Sequence, residues 1–209
     1  MRFIHVQKWI LKPLVFLLCL LPVSLLALGA YNDTLSANPI YDITDATGTW
    51  TLRFLMITLG VTPLRGVTGW HWVTRFRRMV GLFAFFYSAL HFTTYIYLDQ
   101  FFDLESIIED VGKRPFITIG FAAFTLMIPL AATSTNWMIR VIGGKRWQLL
   151  HRLVYISAIC GVIHYLWLVK ADTSRPLTYG GILAVLLGYR VWEFVRKYRR
   201  DKAKWKRKN

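Results

Sequence analysis

Two histidines, His91 and His164, lie at similar predicted depths inside apolar segments, where an ionisable side chain is costly and usually serves a function. His91 precedes Asp99 by eight residues, or about 12 Å of helical rise from the outer end of its segment. His164 precedes Lys170 by six residues, or about 9 Å. Two imidazoles at one level on separate helices suit the two axial positions of a haem iron. We therefore predict that His91 and His164 bind one haem between their helices.

Other interpretations of this pair stay open at the level of the sequence. The two imidazoles could hydrogen-bond neighbouring helices without binding a metal. Zinc is a weaker alternative, because no carboxylate or thiolate stands at the same level to complete a tetrahedral site. A transporter could use the pair for protons or metal ions, and a membrane anchor could carry the histidines incidentally. The transporter or channel predicts a colourless protein, and the anchor predicts that His91→Ala and His164→Ala change nothing measurable.

The third intramembrane histidine, His151, is predicted to lie near the inner ends of the helices. Thirteen residues separate it from His164, or about 20 Å of rise and roughly 140° of rotation on a straight helix, so the two cannot share an iron. The start of the facing segment offers Arg75, Arg77 and Arg78 but no histidine. These cations suit haem carboxylates, a flavin phosphate or lipid headgroups. His151 is a candidate ligand of a second, inner haem or another cofactor; a quinone site, proton handling and a structural role are the alternatives.

Six apolar segments must position these side chains. Most of them approach the roughly 20 residues that a helix needs to cross a hydrocarbon core about 30 Å thick. The second is the shortest and is predicted to end at Thr62-Pro63. The sequence therefore predicts an all-α membrane protein, a six-transmembrane-helix bundle forming one integral membrane domain over residues 1–209. The segments are approximately residues 9–30, 49–64, 79–98, 115–134, 148–169 and 177–195.

Composition supports this class. Of 209 residues, 55% are hydrophobic and only 18% are charged, where soluble domains carry roughly 25% charged residues. The 26 Lys and Arg against 11 Asp and Glu give a net charge of +15, but the cations stand between apolar runs rather than on a folded basic face. They favour a phospholipid membrane as partner and exclude a nucleic-acid binder. The only cysteines, Cys19 and Cys160, lie inside apolar runs and are predicted to be core residues.

Loop charges predict the orientation of the helices. Loops 31–48 and 99–114 are acidic, whereas the amino-terminal tail, loops 65–78 and 135–147, and the carboxyl tail are basic. The positive-inside rule then places both termini in the cytoplasm. The basic cytoplasmic tail, residues 196–209, is predicted to rest on anionic lipid. The first apolar segment is too long for a typical signal peptide and is predicted to be a retained span.

Six short strings carry a resemblance to known proteins. They are TRFRRMVGL at 74–82, SALH at 88–91, RPFITIG at 114–120, TST at 133–135, GKRWQLLH at 144–151 and IHYLW at 163–167. The chain thereby closely resembles the MsrQ family (formerly YedZ), the haem-binding membrane subunits of bacterial MsrPQ methionine sulfoxide reductase systems. More distantly, it resembles the ferric reductase-like transmembrane domain.

The resemblance implies a haem b protein of the bacterial inner membrane that takes electrons from the quinone pool. It would pass them to MsrP, a periplasmic molybdenum-cofactor enzyme that reduces methionine sulfoxide in oxidised periplasmic proteins. The chain would be the electron-transfer subunit, with sulfoxide reduction carried out by the partner. FMN is implied by the resemblance alone, and a cytoplasmic flavin reductase is an alternative donor. A ferric reductase-like carrier with another acceptor is the alternative function.

Residue by residue, His91, His151 and His164 match the candidate haem histidines of the family. Arg77 stands about where wider relatives carry an inner histidine, which argues against a complete inner bis-histidine site. Electrons are predicted to enter near Arg75, Arg77, Arg78 and His151 and to leave past the acidic outer loops. Candidate hydrogen-bonding neighbours of the outer haem are Thr93, Thr94, Tyr95 and Tyr165, for each of which ordinary helix packing is the alternative. Arg53 is a candidate partner of a haem propionate or an interfacial residue.

Overall fold

The chain is described by a computed structural model that covers residues 7–206. Over these residues it forms nine α-helices, short π and 3-10 turns, and no strand, as the predicted all-α class requires. Residues 1–6 and 207–209, which hold part of the two predicted basic tails, lie outside the described residues. The helices are α1 (Lys12–Tyr31), α2 (Pro39–Thr68), α3 (Arg77–Thr94), α4 (Leu104–Lys113), α5 (Pro115–Ala132), α6 (Asn136–Ile142), α7 (Gly144–Leu150), α8 (Leu153–Leu168) and α9 (Ser174–Lys206).

Four of these helices form the central bundle. Helix α3 packs against α2 and α5, and α8 packs against α5 and α2, so α3 and α8 stand across the bundle from each other. Helices α1 and α9 pack on the outside, α1 against α2 and α3, and α9 against α2 and α8. The core is made of side chains such as Leu59, Ala84, Tyr87 and Ala158, which are almost fully buried. This arrangement sets the two long histidine-bearing helices around one interior.

Helix α2 is much longer than its apolar segment, and two expectations about it are wrong. It begins at Pro39, inside the predicted loop 31–48, because the side chain of Asn38 accepts a hydrogen bond from the Tyr41 N–H and caps the helix. It also continues through Pro63 rather than ending there, and stops at Gly69, whose φ of 72° suits glycine. The early start brings residues 39–48 into the helix and against α3.

The predicted loops 99–114 and 135–147 also contain helices. In the first, the Asp103 side chain accepts hydrogen bonds from the N–H groups of Glu105 and Ser106 and so begins α4. The hydrogen bonds from Ser106, through its hydroxyl and its N–H, hold the pKa of Asp103 below its usual value. In the second, Thr135 caps α6. The charged residues of these two segments predict loops. Short helices form there because a side chain at the start of each helix accepts hydrogen bonds from otherwise unpaired backbone N–H groups.

The predicted fifth segment is not one straight helix. The chain turns at His151 and Arg152, between α7 and α8. The Arg152 N–H bonds the carbonyl of Leu149, three residues back, and the Tyr155 N–H bonds the carbonyl of Arg152 in the same way. These tighter bonds interrupt the α-helical ladder, so the rotation estimated between His151 and His164 for a straight helix is wrong.

Among the residues that the structure describes, four stretches are long and apolar enough to cross a membrane: Trp9–Tyr31, Arg77–Asp99, Pro115–Ala132 and Gly144–Leu168. They correspond to the first, third, fourth and fifth predicted segments. The second and sixth segments form α2 and α9, which are long helices packed on the bundle but more polar in composition. Six spans and the orientation of the termini stay predictions.

Tyr87 joins α1 to the bundle. Its hydroxyl donates to the carbonyl of Cys19 at 2.9 Å and accepts from the N–H of Val23 at 3.0 Å. The hydroxyl therefore lies between a carbonyl and an N–H group that would otherwise form a helical hydrogen bond with each other in α1. The side chain is only 1% exposed. Cys19 is itself buried, as predicted, whereas Cys160 is partly buried.

Replacing Tyr87 with Phe is expected to destabilise the protein by about 1–3 kcal/mol, because it removes both hydrogen bonds while keeping the packing of the ring. Thermal unfolding of the purified protein in detergent measures the change as a lower midpoint. Tyr31, which is 86% exposed, provides the control, since Tyr31→Phe is expected to leave the midpoint unchanged. Equal midpoints for Tyr87→Phe and the unaltered protein would contradict this assignment.

Candidate functional site

The structure brings His91 of α3 and His164 of α8 together inside the bundle. Their ring centroids are 6.1 Å apart, with an angle of 77° between the ring planes. Both side chains are partly buried. The two residues are far apart in sequence, and their contact depends on α3 and α8 facing each other across the bundle. The expected meeting of these two imidazoles at a common level is therefore found.

Each ring is held through the same nitrogen. The Nδ1 atom of His91 lies 3.0 Å from the carbonyl oxygen of Thr44 in α2, and Nδ1 of His164 lies 2.6 Å from the carbonyl oxygen of Phe116 in α5. A carbonyl oxygen only accepts hydrogen bonds, so Nδ1 carries the proton in both rings. Each Nε2 is left with a lone pair, as a metal-binding imidazole requires.

The hydroxyl of Thr47 supports the same tautomer at His91. Its Oγ1 lies 3.4 Å from Nδ1 of His91 and donates its own proton to the carbonyl of Ile43 at 2.7 Å. A hydroxyl that donates elsewhere can only accept from the ring, which again places the proton on Nδ1.

A glycine lies beside each ring. A Cβ atom at Gly48 would come 3.0 Å from Cε1 of His91, and one at Gly120 would come 2.6 Å from Nδ1 of His164. In both cases the glycine follows, by four residues, the residue whose carbonyl accepts from the ring: Thr44 and Gly48 on α2, and Phe116 and Gly120 on α5. Each imidazole is thus held in the same way, by an accepting carbonyl and a glycine one helical turn further along the same helix. We call Gly48 and Gly120 the seat glycines.

The separation of the rings suits two ligands on opposite sides of one metal ion. Two metal–imidazole bonds of about 2 Å, with about 1.1 Å from each nitrogen to its ring centre, separate the centroids of such ligands by about 6 Å. No group of three or more His, Cys, Asp or Glu that could hold a metal ion occurs among residues 7–206. Two neutral imidazoles are a donor set that haem iron uses. The residues present therefore fit a haem.

His151 has a different environment. Its Nε2 lies 3.1 Å from Oγ1 of Thr133, which donates its own proton to the carbonyl of Pro129 at 2.6 Å. Oγ1 must therefore accept from Nε2–H, so the proton of His151 is on the nitrogen that carries the lone pair in the other two histidines. The ring lies against Trp147, with centroids 3.8 Å apart, and the indole N–H of Trp147 donates to the Thr133 carbonyl at 2.8 Å.

Of the three predicted cations, Arg77 begins α3, Arg78 donates to the side chain of Asn136, and Arg75 is exposed. Arg190, which sequence reasoning did not single out, is partly buried. It donates to Tyr155 Oη at 2.7 Å and to the carbonyl of Leu59 at 3.0 Å. The end of the bundle near His151 thus carries several cations, and the location of this end at the cytoplasmic side stays a prediction.

Comparison with known proteins identifies the family. Residues 47–162 match the family described as "Ferric reductase like transmembrane component". The chain is 54% identical over 188 residues to a protein of Herminiimonas arsenicoxydans, covering 89% of this chain and 86% of that protein. It is 55% identical over 187 residues to one of Azospira oryzae, covering 89% and 80%. Both relatives are named "Protein-methionine-sulfoxide reductase heme-binding subunit MsrQ". The chain belongs to the MsrQ family.

A third MsrQ relative, from Rhodospirillum rubrum, is 51% identical over 189 residues, covering 90% of this chain and 91% of that protein. The resemblance seen in the sequence strings is thus confirmed, and with it the membrane class. The matched family segment contains both seat glycines, His91 and His151, and it ends two residues before His164.

In this MsrQ-family chain, the four residues predicted to surround the histidine pair have contacts other than the two imidazole rings. Thr93 donates to the carbonyl of Ala89 and Thr94 to the backbone carbonyl of His91, so neither reaches an imidazole nitrogen. Tyr95 donates to Asp110, and Tyr165 packs against Tyr179. The actual partners are backbone carbonyls, which carry no residue signature in a sequence.

The glycines, in contrast, do carry a signal in the sequence. An isolated glycine inside a helical segment weakens the helix, so it is often retained for a packing reason, although Gly112 and Gly188 lie in helices of this chain with nothing within 4 Å. Gly48 falls in the predicted loop 31–48, which hides this signal, and Gly120 stands within the resemblance string at 114–120. Arg53, predicted at a propionate or at the interface, is exposed and donates from Nε to Tyr179 Oη at 3.2 Å.

Proposed function

We propose that this MsrQ-family protein is an electron-transfer subunit that holds a haem b between His91 and His164. The observation that carries the proposal is the pair of imidazoles 6.1 Å apart, each with its Nδ1 bonded to a backbone carbonyl. The names of the relatives, which describe a heme-binding subunit of a methionine sulfoxide reductase, support it. A haem held by these two residues would supply the transfer of single electrons.

Backbone groups of the chain orient the two imidazoles and leave each Nε2 able to bind a metal. The carbonyls of Thr44 and Phe116 hold a proton on each Nδ1, which fixes the tautomer, orients the ring and makes Nε2 more basic. Gly48 and Gly120 allow α2 and α5 to approach the rings closely. The apolar side chains of the four-helix core keep water from the centre of the bundle.

We further propose the path of the electrons. They come from the quinone pool, or from a flavin donor such as a cytoplasmic flavin reductase, and leave toward a periplasmic molybdenum-cofactor enzyme of the MsrP type. That partner reduces methionine sulfoxide in oxidised periplasmic proteins. Six spans with both termini in the cytoplasm of a bacterial inner membrane fit this direction. Of the 11 acidic residues only Glu193 and Asp201 are in the last helix, and the other carboxylates lie in segments 31–48, 99–114 and 170–176.

At the inner end, Arg75, Arg77 and Arg78 suit the anionic groups of a cofactor, either FMN or a second haem. His151 is the candidate histidine for that site. Its Nε2 is occupied by Thr133, so binding iron through Nε2 requires the ring to give up that hydrogen bond. We therefore rank the His91–His164 pair above His151 as the haem site of this chain.

An absorption spectrum of the purified protein tests the central proposal. After expression with sufficient haem, we expect a Soret band that sharpens and shifts when dithionite is added. A colourless protein would reject the proposal and favour the transporter or anchor interpretations of the two histidines.

A further inference from the structure

Helix α4 has an apolar face that the rest of the protein covers only in part. With 3.6 residues per turn, its large apolar side chains share one face about 100° wide, which comprises Leu104, Ile107, Ile108 and Val111. Ile107 and Val111 are partly buried, whereas Leu104 and Ile108 are 72% and 73% exposed. Residues 7–206 therefore leave about half of this face uncovered.

The turn before α4 adds two phenylalanines to the exposed apolar surface. Phe101 and Phe102 are both exposed, and their φ angles of 48° and 62° are unfavourable for residues with a Cβ atom. The N–H of Phe102 donates to the carbonyl of Ile96 at 2.9 Å, and its ring lies against Tyr97, with centroids 5.6 Å apart. An unfavourable backbone that holds two phenyl rings outside the protein indicates that something other than water surrounds them.

The exposed charged side chains of α4 lie nearly opposite the apolar face. Glu105, Glu109 and Lys113 follow one another at intervals of four residues and so share one side of the helix. Glu109 and Lys113 form an exposed ion pair there. A helix with its apolar and charged side chains divided in this way is typical of a segment that lies in the plane of a membrane interface.

Polar contacts fix the direction of this apolar face. Asp110 accepts a hydrogen bond from Nε2 of Gln100 at 2.9 Å and forms an ion pair with Arg114 at 3.2 Å. The hydroxyl of Thr118 in α5 donates to the carbonyl of Val111. These contacts tie α4 to the segments on both of its sides, so the helix cannot rotate to turn Leu104 and Ile108 toward the bundle.

The connections of α4 keep it close to a membrane surface. It begins four residues after the apolar stretch Arg77–Asp99, and one residue, Arg114, separates it from the apolar stretch Pro115–Ala132. Four extended residues reach at most about 14 Å, and a single residue holds the end of α4 beside the next stretch. Tyr97, which contacts Phe102, belongs to the first stretch. The exposed face is thus continuous with helices that are long and apolar enough to span the membrane.

We propose that residues 101–111 form an interfacial segment whose apolar side inserts into the lipid headgroup region at this end of the bundle. Phe101, Phe102, Leu104 and Ile108 enter the lipid, and the charged side of α4 stays in water. Since that side carries two glutamates, burial of apolar surface rather than attraction to anionic lipid supplies the binding. The segment is a membrane contact separate from the spanning helices, and the proposed electron transfer does not depend on it.

The rate at which single cysteines react with a charged, water-soluble maleimide tests the insertion. Leu104→Cys and Ile108→Cys lie on the apolar face, and Glu105→Cys and Glu109→Cys are their matched neighbours on the charged side. In phosphatidylcholine nanodiscs that hold one copy each, we expect the first pair to react at least about tenfold more slowly, because apolar surroundings disfavour the reactive thiolate. All four positions are exposed in the protein itself, so the membrane is what distinguishes them.

These variants are made in the full-length protein, expressed with sufficient haem and carrying Cys19→Ala and Cys160→Ala. Adding Phe101→Asn and Phe102→Asn to Ile108→Cys tests the turn, since asparagine tolerates a left-handed backbone but lacks the apolar ring. We expect this change to raise the reaction rate at position 108 several-fold. An unchanged rate would show that the two phenylalanines do not contribute to the membrane contact.

Two results would overturn the interfacial segment. The first is equal rates for Ile108→Cys and Glu109→Cys in nanodiscs, which would place the apolar face of α4 in water and leave it to a protein partner. The second is a slow reaction of Ile108→Cys that persists after denaturation in sodium dodecyl sulfate, where all four cysteines should react alike. Elution of each nanodisc sample as one symmetrical peak in size-exclusion chromatography verifies that the variants are folded.

Discussion

Replacing His91 or His164 with Ala is expected to remove most of the low-spin haem from the purified protein. Each substitution takes away one of the two imidazole nitrogens that we propose as haem ligands and leaves a carbonyl, of Thr44 or of Phe116, without its N–H donor. No other His, Cys, Asp or Glu among the described residues is grouped with the pair to replace the lost ligand. We expect less than about a tenth of the low-spin signal to remain.

The measurement is the Soret absorbance per protein, before and after dithionite, together with low-temperature electron paramagnetic resonance of the oxidised protein. Added imidazole is expected to restore part of the low-spin signal in His91→Gly and His164→Gly, because it enters the space of the missing ring. A merely misfolded variant would not respond to imidazole. This rescue separates a ligand from a residue that only supports packing.

His151→Ala and His71→Ala are the matched controls. His71 is exposed in the short turn before α3, so its replacement should leave the spectrum unchanged. His151 has its Nε2 engaged with Thr133, and its replacement should cost clearly less haem than either member of the pair. Equal losses for His91, His151 and His164 would show that the ranking of the two sites is wrong.

The meeting of His91 and His164 is predictable because it depends on quantities that a sequence contains. Helical rise converts the distance from a charged loop into depth, and apolar segments define which residues are inside. Two histidines on different segments can therefore be assigned to a common level from residue spacing alone. The direction in which each ring points is not predictable in this way, since it depends on how the helices rotate against each other.

The hydrogen-bond partners of the His91 and His164 rings could not be predicted from the sequence, for two different physical reasons. The acceptors are backbone carbonyls, and every residue has one, so Thr44 and Phe116 carry no distinguishing side chain. The segment that holds Thr44 and Gly48 also reads as a loop, because Asp42 and Asp45 make it acidic. The cap at Asn38 extends α2 into that segment and so supplies half of the site.

The break at His151 shows a further limit. Residues 148–169 are mostly apolar, and periodicity alone predicts one helix. The structure divides this stretch into α7 and α8, which turns His151 toward Thr133 and Trp147. A stretch without proline or glycine at the turn gives no local signal for such a break, because tertiary contacts decide it.

The seat glycines lead to the second large effect: Gly120→Ala is expected to disrupt the haem site without removing a ligand. The new Cβ would lie 2.6 Å from Nδ1 of His164, closer than real Cβ contacts, so the ring must move away from the Phe116 carbonyl. Loss of the Nδ1 hydrogen bond lowers the basicity of Nε2, and a less basic ligand stabilises the oxidised iron less. We expect a higher haem reduction potential or a loss of low-spin haem of about tenfold or more.

A graded series of glycine variants checks this cause. Gly48→Ala, whose Cβ would lie 3.0 Å from His91, should have a smaller effect than Gly120→Ala, and Gly181→Ala in α9, with nothing within 4 Å, should have none. Since alanine favours helices, Gly181→Ala should if anything stabilise the protein, by about 0.5–1 kcal/mol. Redox titration of the Soret band and electron paramagnetic resonance measure the order of the three variants. The three glycines differ in the distance from the new Cβ atom to the nearest imidazole atom. If all three variants give the spectra and the reduction potential of the unaltered protein, close packing of the glycines against the imidazoles does not determine the haem site.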